Sequence, residues 1–302
     1  MMHQINPIFQ THNIQSHVST QFDPSSKACI YPGDCRDLLA SLPKSSVQLV
    51  VSSPPYNIGK EYEKKTSLEN YIALQKEILH ACYDVLSDNG SLCWQVGNYI
   101  VSPGEIMPLD IALNSIFQEL GMKLRNRIIW HFGSGLHYKR IFSRRYETVL
   151  WYTKGDDYIF NLDAVRVPQK YPGKKHWKGE KKGKLTCNPL GKNPDNFWSC
   201  PGDTWDITNV KGQHPEKTAH PCQFPIALIE RLVLALTNPG DLVVDPFCGA
   251  ASAVCAAVLH DRRGCGAEIN EEYIKIANER VDQAIKGTLK RVPLRYFDEK
   301  NA

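Results

Sequence analysis

Two short runs in this chain have residue types and spacing suited to chemistry. The first, Ser53-Pro54-Pro55-Tyr56, follows directly on the apolar run Leu49-Val50-Val51. Adjacent prolines remove two backbone donors and stiffen the chain, leaving carbonyls turned outward to accept hydrogen bonds. A rigid, acceptor-rich edge suits an amino group. The exocyclic nitrogen of a nucleobase is a poor nucleophile because its lone pair is delocalised into the ring. If Ser53 and the Pro54 carbonyl accept its two protons, the nitrogen can pyramidalise and aim its lone pair at an electrophilic methyl. Tyr56 would stack on the base, which must leave the duplex to reach the site. Alone, the run is also an ordinary strand-ending turn.

The second run, Leu242-Val243-Val244-Asp245-Pro246-Phe247-Cys248-Gly249, leads a buried strand into a glycine turn that opens a helix. Open α/β sheets present ligand crevices at such strand ends. Glu268 closes the next strand, where a carboxylate can accept both hydroxyls of a ribose. A glycine turn followed by an acid at this spacing points to an adenosine-containing cofactor and leaves its kind open between a nicotinamide and S-adenosylmethionine.

These residues must be held by a framework, and the sequence pattern supplies one. Short β-branched runs alternate with helical periodicity, which predicts an α/β fold with a mostly parallel sheet and helices on both faces. Strands are expected over residues 27–31, 47–52, 91–96, 126–132, 148–153, 241–245 and 264–269. Helices are expected over 35–41, 68–86, 225–236, 251–259 and 272–285, with Asn89-Gly90 stopping the second of them.

Between residues 155 and 212 the periodicity fades. From 166 to 192 nine Lys or Arg face a single acid, Glu180, with Tyr171, His176 and Trp177 interleaved. Such a stretch builds no core of its own. It reads either as a solvated surface insert or as a nucleic-acid contact, because aromatic and cationic groups together suit stacking and phosphate neutralisation. Candidate contacts are Lys174, Lys175 and Lys178 here, and Lys139, Arg140, Arg144 and Arg145 in the earlier basic loop.

The whole chain, 302 residues with 42% hydrophobic and 23% charged residues, has the composition of a soluble globular protein. Residues 1–22 are polar and carry no signal-like or membrane-spanning apolar stretch, so a cytoplasmic location with no membrane association is expected. The net charge of +4 does not by itself imply nucleic acid. Ten cysteines lie scattered without a C-x-x-C pair, which favours reduced thiols. Cys187, Cys200, His214 and His220 lack the close spacing of zinc ligands, and no metal is expected.

The motifs together resemble the amino-methyltransferases of restriction-modification systems. Ser53-Pro54-Pro55-Tyr56 resembles their catalytic motif, Asp245-Pro246-Phe247-Cys248-Gly249 their cofactor motif, and His220-Pro221-Cys222-Gln223-Phe224-Pro225 the segment before it. The catalytic motif comes first and the cofactor motif last, an order similar to that of the family's β group. The resemblance implies a Rossmann-like, circularly permuted methyltransferase fold, S-adenosylmethionine as cofactor and double-stranded DNA as partner. It also implies a cognate restriction endonuclease of the kind the family commonly has. It carries cofactor roles onto Asp245, Phe247, Gly249 and Glu268, and onto Asp34 near the adenine. It divides the chain into an extension (1–26), a catalytic half (27–154), a target-recognition insert (155–212) and a cofactor-binding half (213–302). In one departure, Ala251 and Ser252 stand where the family commonly has glycine and threonine, which predicts a looser or shifted backbone approach to the cofactor.

Ser53, where adenine-N6 enzymes more often carry Asp, resembles the cytosine-N4 enzymes and favours cytosine over adenine. Three other readings stay open on the residues alone: an RNA methyltransferase, a binding module that keeps the fold without the chemistry, and a dehydrogenase, for which Ser-Pro-Pro-Tyr has no use.

Overall fold

The computed structural model describes residues 15–60, 63, 65–133, 135, 137–198 and 207–292. In chain order its elements are β1 (Gln15–Ser19), β2 (Ser26–Pro32), α1 (Cys35–Ser41), β3 (Val47–Ser52), α2 (Leu68–Val85), β4 (Leu86–Val96), β5 (Asn98–Ser102), β6 (Glu105–Pro108), α3 (Leu109–Ala112), α4 (Asn114–Glu119), β7 (Lys123–His131) and β8 (Tyr146–Thr153). A 3-10 turn (Leu162–Val165), β9 (Phe197–Trp198), α5 (Ile226–Leu236), β10 (Leu242–Asp245), α6 (Ser252–Leu259), β11 (Arg263–Glu268) and α7 (Glu271–Ile285) follow.

Nine strands form one sheet in the order β1-β2-β11-β10-β3-β4-β8-β7-β9. The run from β1 to β4 is parallel throughout, β8 is antiparallel to both β4 and β7, and β9 pairs parallel with β7. Helices cover both faces. Leu49, Val51 and Val243 point into the layer with α5, α6 and α7, whereas Val50, Leu242 and Val244 point into the layer with α1, α2 and α4. This is the α/β architecture that the alternating pattern predicts, in the Rossmann-like form that the family resemblance implies.

The topology places β3, from the first part of the chain, beside β10, from the last. Leu49 pairs with Val243 and Val50 with Val244. The C-terminal ends of the parallel strands therefore carry the two chemical runs side by side.

Several features depart from the sequence pattern. Helix α2 ends at Val85, and Asn89-Gly90 lies inside β4. Leu86 is fully buried opposite Val47, the Ser87 hydroxyl donates to the Val47 carbonyl, and the Gln48 side chain donates to the Asn89 carbonyl. These contacts draw residues 86–90 into the sheet before the glycine is reached. The hairpin β5–β6 and the short helices α3 and α4 are not among the expected elements; their runs are too short to show a period. Gln15–Ser19, within the expected extension, adds a parallel edge strand to β2.

Strand β11 carries glycines where α6 and the turn after β10 press against the sheet. A Cβ on Gly266 would lie 2.5 Å from Cys248 Cβ, and one on Gly264 would lie 2.9 Å from Val254 Cγ1. Gly266→Ala should therefore lower the unfolding free energy by about 1–3 kcal/mol through overpacking. Urea denaturation checks this, and an unchanged midpoint would show that the contact yields freely.

Candidate active site

A cavity of about 300 Å³ opens at the C-terminal ends of β2, β11, β10 and β3. Gly33, Asp34 and Arg36 form part of its wall, with Ser53 and Pro55 from the end of β3. Phe247, Gly249, Glu268, Ile269 and Tyr273 complete the far side. The volume is at the lower end for small-molecule sites, and the mixture of apolar wall and a few convergent polar groups is typical of them.

Each acidic group is held by its local structure. Asp34 caps α1 by accepting from the Arg36 amide at 2.9 Å and pairs with the Arg36 guanidinium at 2.6 Å. That hydrogen bonding lowers its carboxyl to about 2. Glu268 accepts from the amides of Ile269 and Asn270 at 3.0 and 2.8 Å. Burial raises its carboxyl, and the surrounding amides pull it back. These two amides occupy part of the carboxylate's acceptor capacity, and the remainder suits paired hydroxyls.

Asp245 is fully buried and is not part of the cavity wall. Its Oδ1 accepts from Ser52 Oγ at 2.5 Å and from the Phe247 amide at 3.1 Å. It thus fixes the turn that presents Phe247 and ties that turn to β3. Gly249 has φ +49°, and a Cβ there would lie 2.8 Å from His220 Nε2, so the turn requires glycine on two counts. Ala251 adopts the left-handed conformation, φ 58°, that a glycine would take more readily, and α6 begins directly after it. The substitution thus retains the left-handed turn, with Ala251 fully buried.

On the other side of the cleft, Ser53 Oγ lies 3.0 Å from Tyr56 Oη, and Tyr56 Oη donates to Glu147 Oε2 at 3.0 Å. Pro54 is buried, and neither it nor Tyr56 belongs to the cavity wall. The chain beyond is pinned, with Glu63 accepting from the amides of Asn57 and Ile58 and Asn57 exchanging two hydrogen bonds with Thr66. Gly97 leaves room for the tyrosine ring, since a Cβ there would lie 3.0 Å from Tyr56 Cε2.

The fit to an adenosine-bearing ligand rests on four observations: a crevice at the strand ends, a glycine turn, the aromatic Phe247, and a carboxylate at Glu268 with acceptor capacity to spare. Asp245 Oδ2, a buried oxygen with no hydrogen-bond partner among the described residues, lies just behind this turn.

The basic candidates lie outside the cavity. Thr148, at the start of β8, pairs with Val96, and Trp94 with Ser52, so the loop of residues 137–145 leaves the sheet at the same edge as Ser53. Lys139 and Arg140 are exposed, Arg144 and Arg145 half-buried, with Arg144 over the Tyr138 ring. Phe142 between them is 98% exposed. Lys174, Lys175 and Lys178 are exposed on a small hairpin bridged at Lys175 and Leu185, where Trp177 is 84% exposed. Cys200, one of the four residues considered as zinc ligands, lies outside the described residues; among those described, no group of three or more His, Cys, Asp or Glu could hold a metal. No helix among them is long and apolar enough to cross a membrane.

The sequence pattern does not single out Arg36, Tyr273, Gln95 and Glu147 as site residues, and it brings in His220 only as a rejected zinc ligand and as the start of the segment before the cofactor motif. His220 opens the segment before the cofactor motif, packs edge-on against Tyr273 at 4.5 Å, and is lowered to about 4 by burial, which keeps it neutral. Glu147 shows in the sequence only as a charge within an apolar strand.

Comparison with known proteins follows the same lines. Residues 47–279 match the family model for DNA methylases of the N6/N4 type. The Type II methyltransferase M.BglII of Bacillus subtilis is 46% identical over 88% of this chain and 72% of its own length. The DNA adenine methyltransferase YhdJ of Escherichia coli is 33% identical over 88% and 86%. A Thermus thermophilus protein, described as a DNA modification methylase and solved with S-adenosyl-L-methionine, superposes with a TM-score of 0.58 at 26% identity. That match covers 89% of this chain and 99% of the other.

Burial raises the Asp245 carboxyl to about 7, although the Ser52 hydroxyl and the Phe247 amide pull it down. Between the ordinary carboxylate range and pH about 7 the folded protein holds a proton that the unfolded chain has released. Stability should therefore fall as pH rises through that window and level off above it. Asp245→Asn removes this contribution, so its stability relative to wild type should rise by a few kcal/mol across the window. Chemical denaturation at several pH values measures the difference, and a parallel pH profile for the two proteins would contradict it.

Proposed function

The chain belongs to the DNA methylase family of N6/N4 methyltransferases, and on that premise we propose that it methylates N4 of cytosine at specific sites in double-stranded DNA. It is an S-adenosylmethionine-dependent enzyme. The single observation that carries the choice of base is Ser53, a neutral hydroxyl acceptor on the cavity wall.

Bound S-adenosylmethionine supplies a sulfonium methyl as electrophile. Toward it, Glu268 would accept the ribose hydroxyls, Phe247 would pack on the adenosine, and Gly249 would allow close backbone approach. Asp34 would act near the adenine, and Asp245 would act from behind the turn. Ser53 Oγ and the Pro54 carbonyl would accept the two amino protons of the base and turn its nitrogen lone pair toward the cofactor side. Pro55 stiffens this edge, and Tyr56 would stack on the extruded base. Lys139, Arg140, Arg144 and Arg145 would meet phosphates beside the site, and Lys174, Lys175 and Lys178 would do so from residues 155–212, the recognition region. Residues 27–154 and 213–302 would then serve as the catalytic and cofactor halves of one sheet, with 1–26 as the extension.

The second reading is adenine N6, supported by the 33% identity to the Escherichia coli adenine enzyme. The Type II name of the Bacillus subtilis relative supports a place in a restriction-modification system, with an endonuclease reading the same site, and a cytoplasmic setting.

DNA methylated by the protein, digested to nucleosides and analysed by mass spectrometry, should yield N4-methylcytosine; N6-methyladenine as sole product would overturn the choice of base. Ser53→Ala should reduce methyl transfer on the order of 10²–10³-fold while leaving duplex binding intact. An equal loss of binding in that variant would assign Ser53 to docking instead.

A further inference from the structure

The hydrogen bonds behind Ser53 have a direction, and it is set at their far end. Glu147 Oε2 receives the Tyr56 hydroxyl at 3.0 Å and the Gln95 amide at 2.6 Å. A carboxylate only accepts, so the single Tyr56 proton is committed to Glu147. The Tyr56 oxygen must then be the acceptor in its 3.0 Å contact with Ser53 Oγ, which commits the single Ser53 proton as well. What Ser53 has left to offer the cavity is lone pairs alone. Such a hydroxyl can accept from an amino group and cannot donate to it.

From this geometry we infer that Glu147 is a positioning residue, which acts through Tyr56 to hold Ser53 as an obligate acceptor for the amino group of the target base. The inference rests on the reading of Ser53 given above and extends it to residues that touch no substrate. Gln95 holds the Glu147 carboxylate from β4, and its own Oε1 is a buried atom with no hydrogen-bond partner among the described residues. The phenol is the proper intermediary. Burial and the Glu147 charge both push it well above its ordinary range, so it keeps the proton it donates.

The arrangement has a built-in weakness. Burial also raises the Glu147 carboxyl, against the pull of Gln95, Tyr56 and the Lys211 charge. Among the described residues, Tyr56 from the loop after β3 and Lys211 from the segment before α5 are the titratable groups that act on it; its register partner on β7 is the uncharged Trp130. Once protonated, Glu147 can donate to Tyr56, the chain of hydroxyls can reverse, and Ser53 can present a proton to an amine that needs an acceptor. Glu147→Gln imitates that state at every pH, because an amide can donate to the Tyr56 oxygen.

The test is a double-mutant cycle of Glu147→Gln and Tyr56→Phe, with genomic DNA from a host lacking the protein as substrate. Thermal unfolding and S-adenosylmethionine binding serve as readouts independent of turnover. Glu147→Gln should lower kcat on the order of 10–100-fold, with KM for DNA and cofactor affinity little changed. In the Tyr56→Phe background the same change should cost less than about twofold, because the connection to Ser53 is already cut. A kcat of Glu147→Gln close to wild type, or an equal loss in both backgrounds, would overturn the inference. Wild type and Tyr56→Phe give a second check without that variant. The acidic limb of the wild-type kcat profile should flatten in Tyr56→Phe, and an identical limb in both would also overturn it. If the wild type methylates no DNA at all, the parent reading fails, and this one with it.

Discussion

One hydrogen bond joins the two halves of the site. Ser52 Oγ donates to Asp245 Oδ1 at 2.5 Å across 193 residues of sequence, between strands that lie side by side in parallel. Ser52 is the last residue of β3 and Asp245 the last of β10. The next residue along each strand enters a chemical run, Ser53 in one case and Pro246 in the other. Both ends are buried, so the bond is formed where water cannot replace it, and loss of either partner would leave a polar group stranded in the core. Because β3 and β10 have a single register, the distance between the acceptor edge at Ser53 and the turn at Phe247 is fixed by the sheet rather than by mobile loops.

The groups around this bond divide by charge and by rigidity. The side of Glu268 and Asp34 holds its carboxylates with backbone amides and a guanidinium. The side of Ser53 carries neutral hydroxyls, with the Glu147 carboxylate set behind Tyr56. Outside the cavity, exposed positive charge gathers in the loop of residues 137–145 and the hairpin around Trp177. This separation suits a reaction in which a neutral amine meets a cationic methyl donor while a polyanion docks at the rim. Preorganised acceptors on fixed strands need little reorganisation when the base arrives.

Much of this is legible in the sequence because buried parallel strands announce themselves. Leu49-Val50-Val51 and Leu242-Val243-Val244 are short apolar runs ended by proline or glycine, and each such end in a doubly wound sheet borders the crevice. That they are neighbours is not legible, since strand order follows from long-range packing. The Ser52–Asp245 bond is hidden for the same reason. Asp245 looks like a ligand contact by its place in the motif, whereas its carboxyl lies beneath the turn. Glu147 escapes notice because its meaning depends on Tyr56, 91 residues away. Asn89-Gly90 misleads because local turn propensity is outweighed by Leu86 packing against Val47. In the basic region, charge and aromatic content are readable from composition, but the pairing of Lys175 with Leu185 that exposes Trp177 is not.

The most direct measurement is a crystal structure of the protein with S-adenosylhomocysteine. The expected result is an adenosine in the cavity at the ends of β10 and β11, its ribose hydroxyls within hydrogen-bond distance of Glu268 and its sulfur on the side of Ser53 and Pro55. An adenosine bound instead in a smaller cavity beside Trp151, Phe160 and Trp198, or one that leaves Glu268 without a ribose contact, would contradict a shared crevice joining the two motifs.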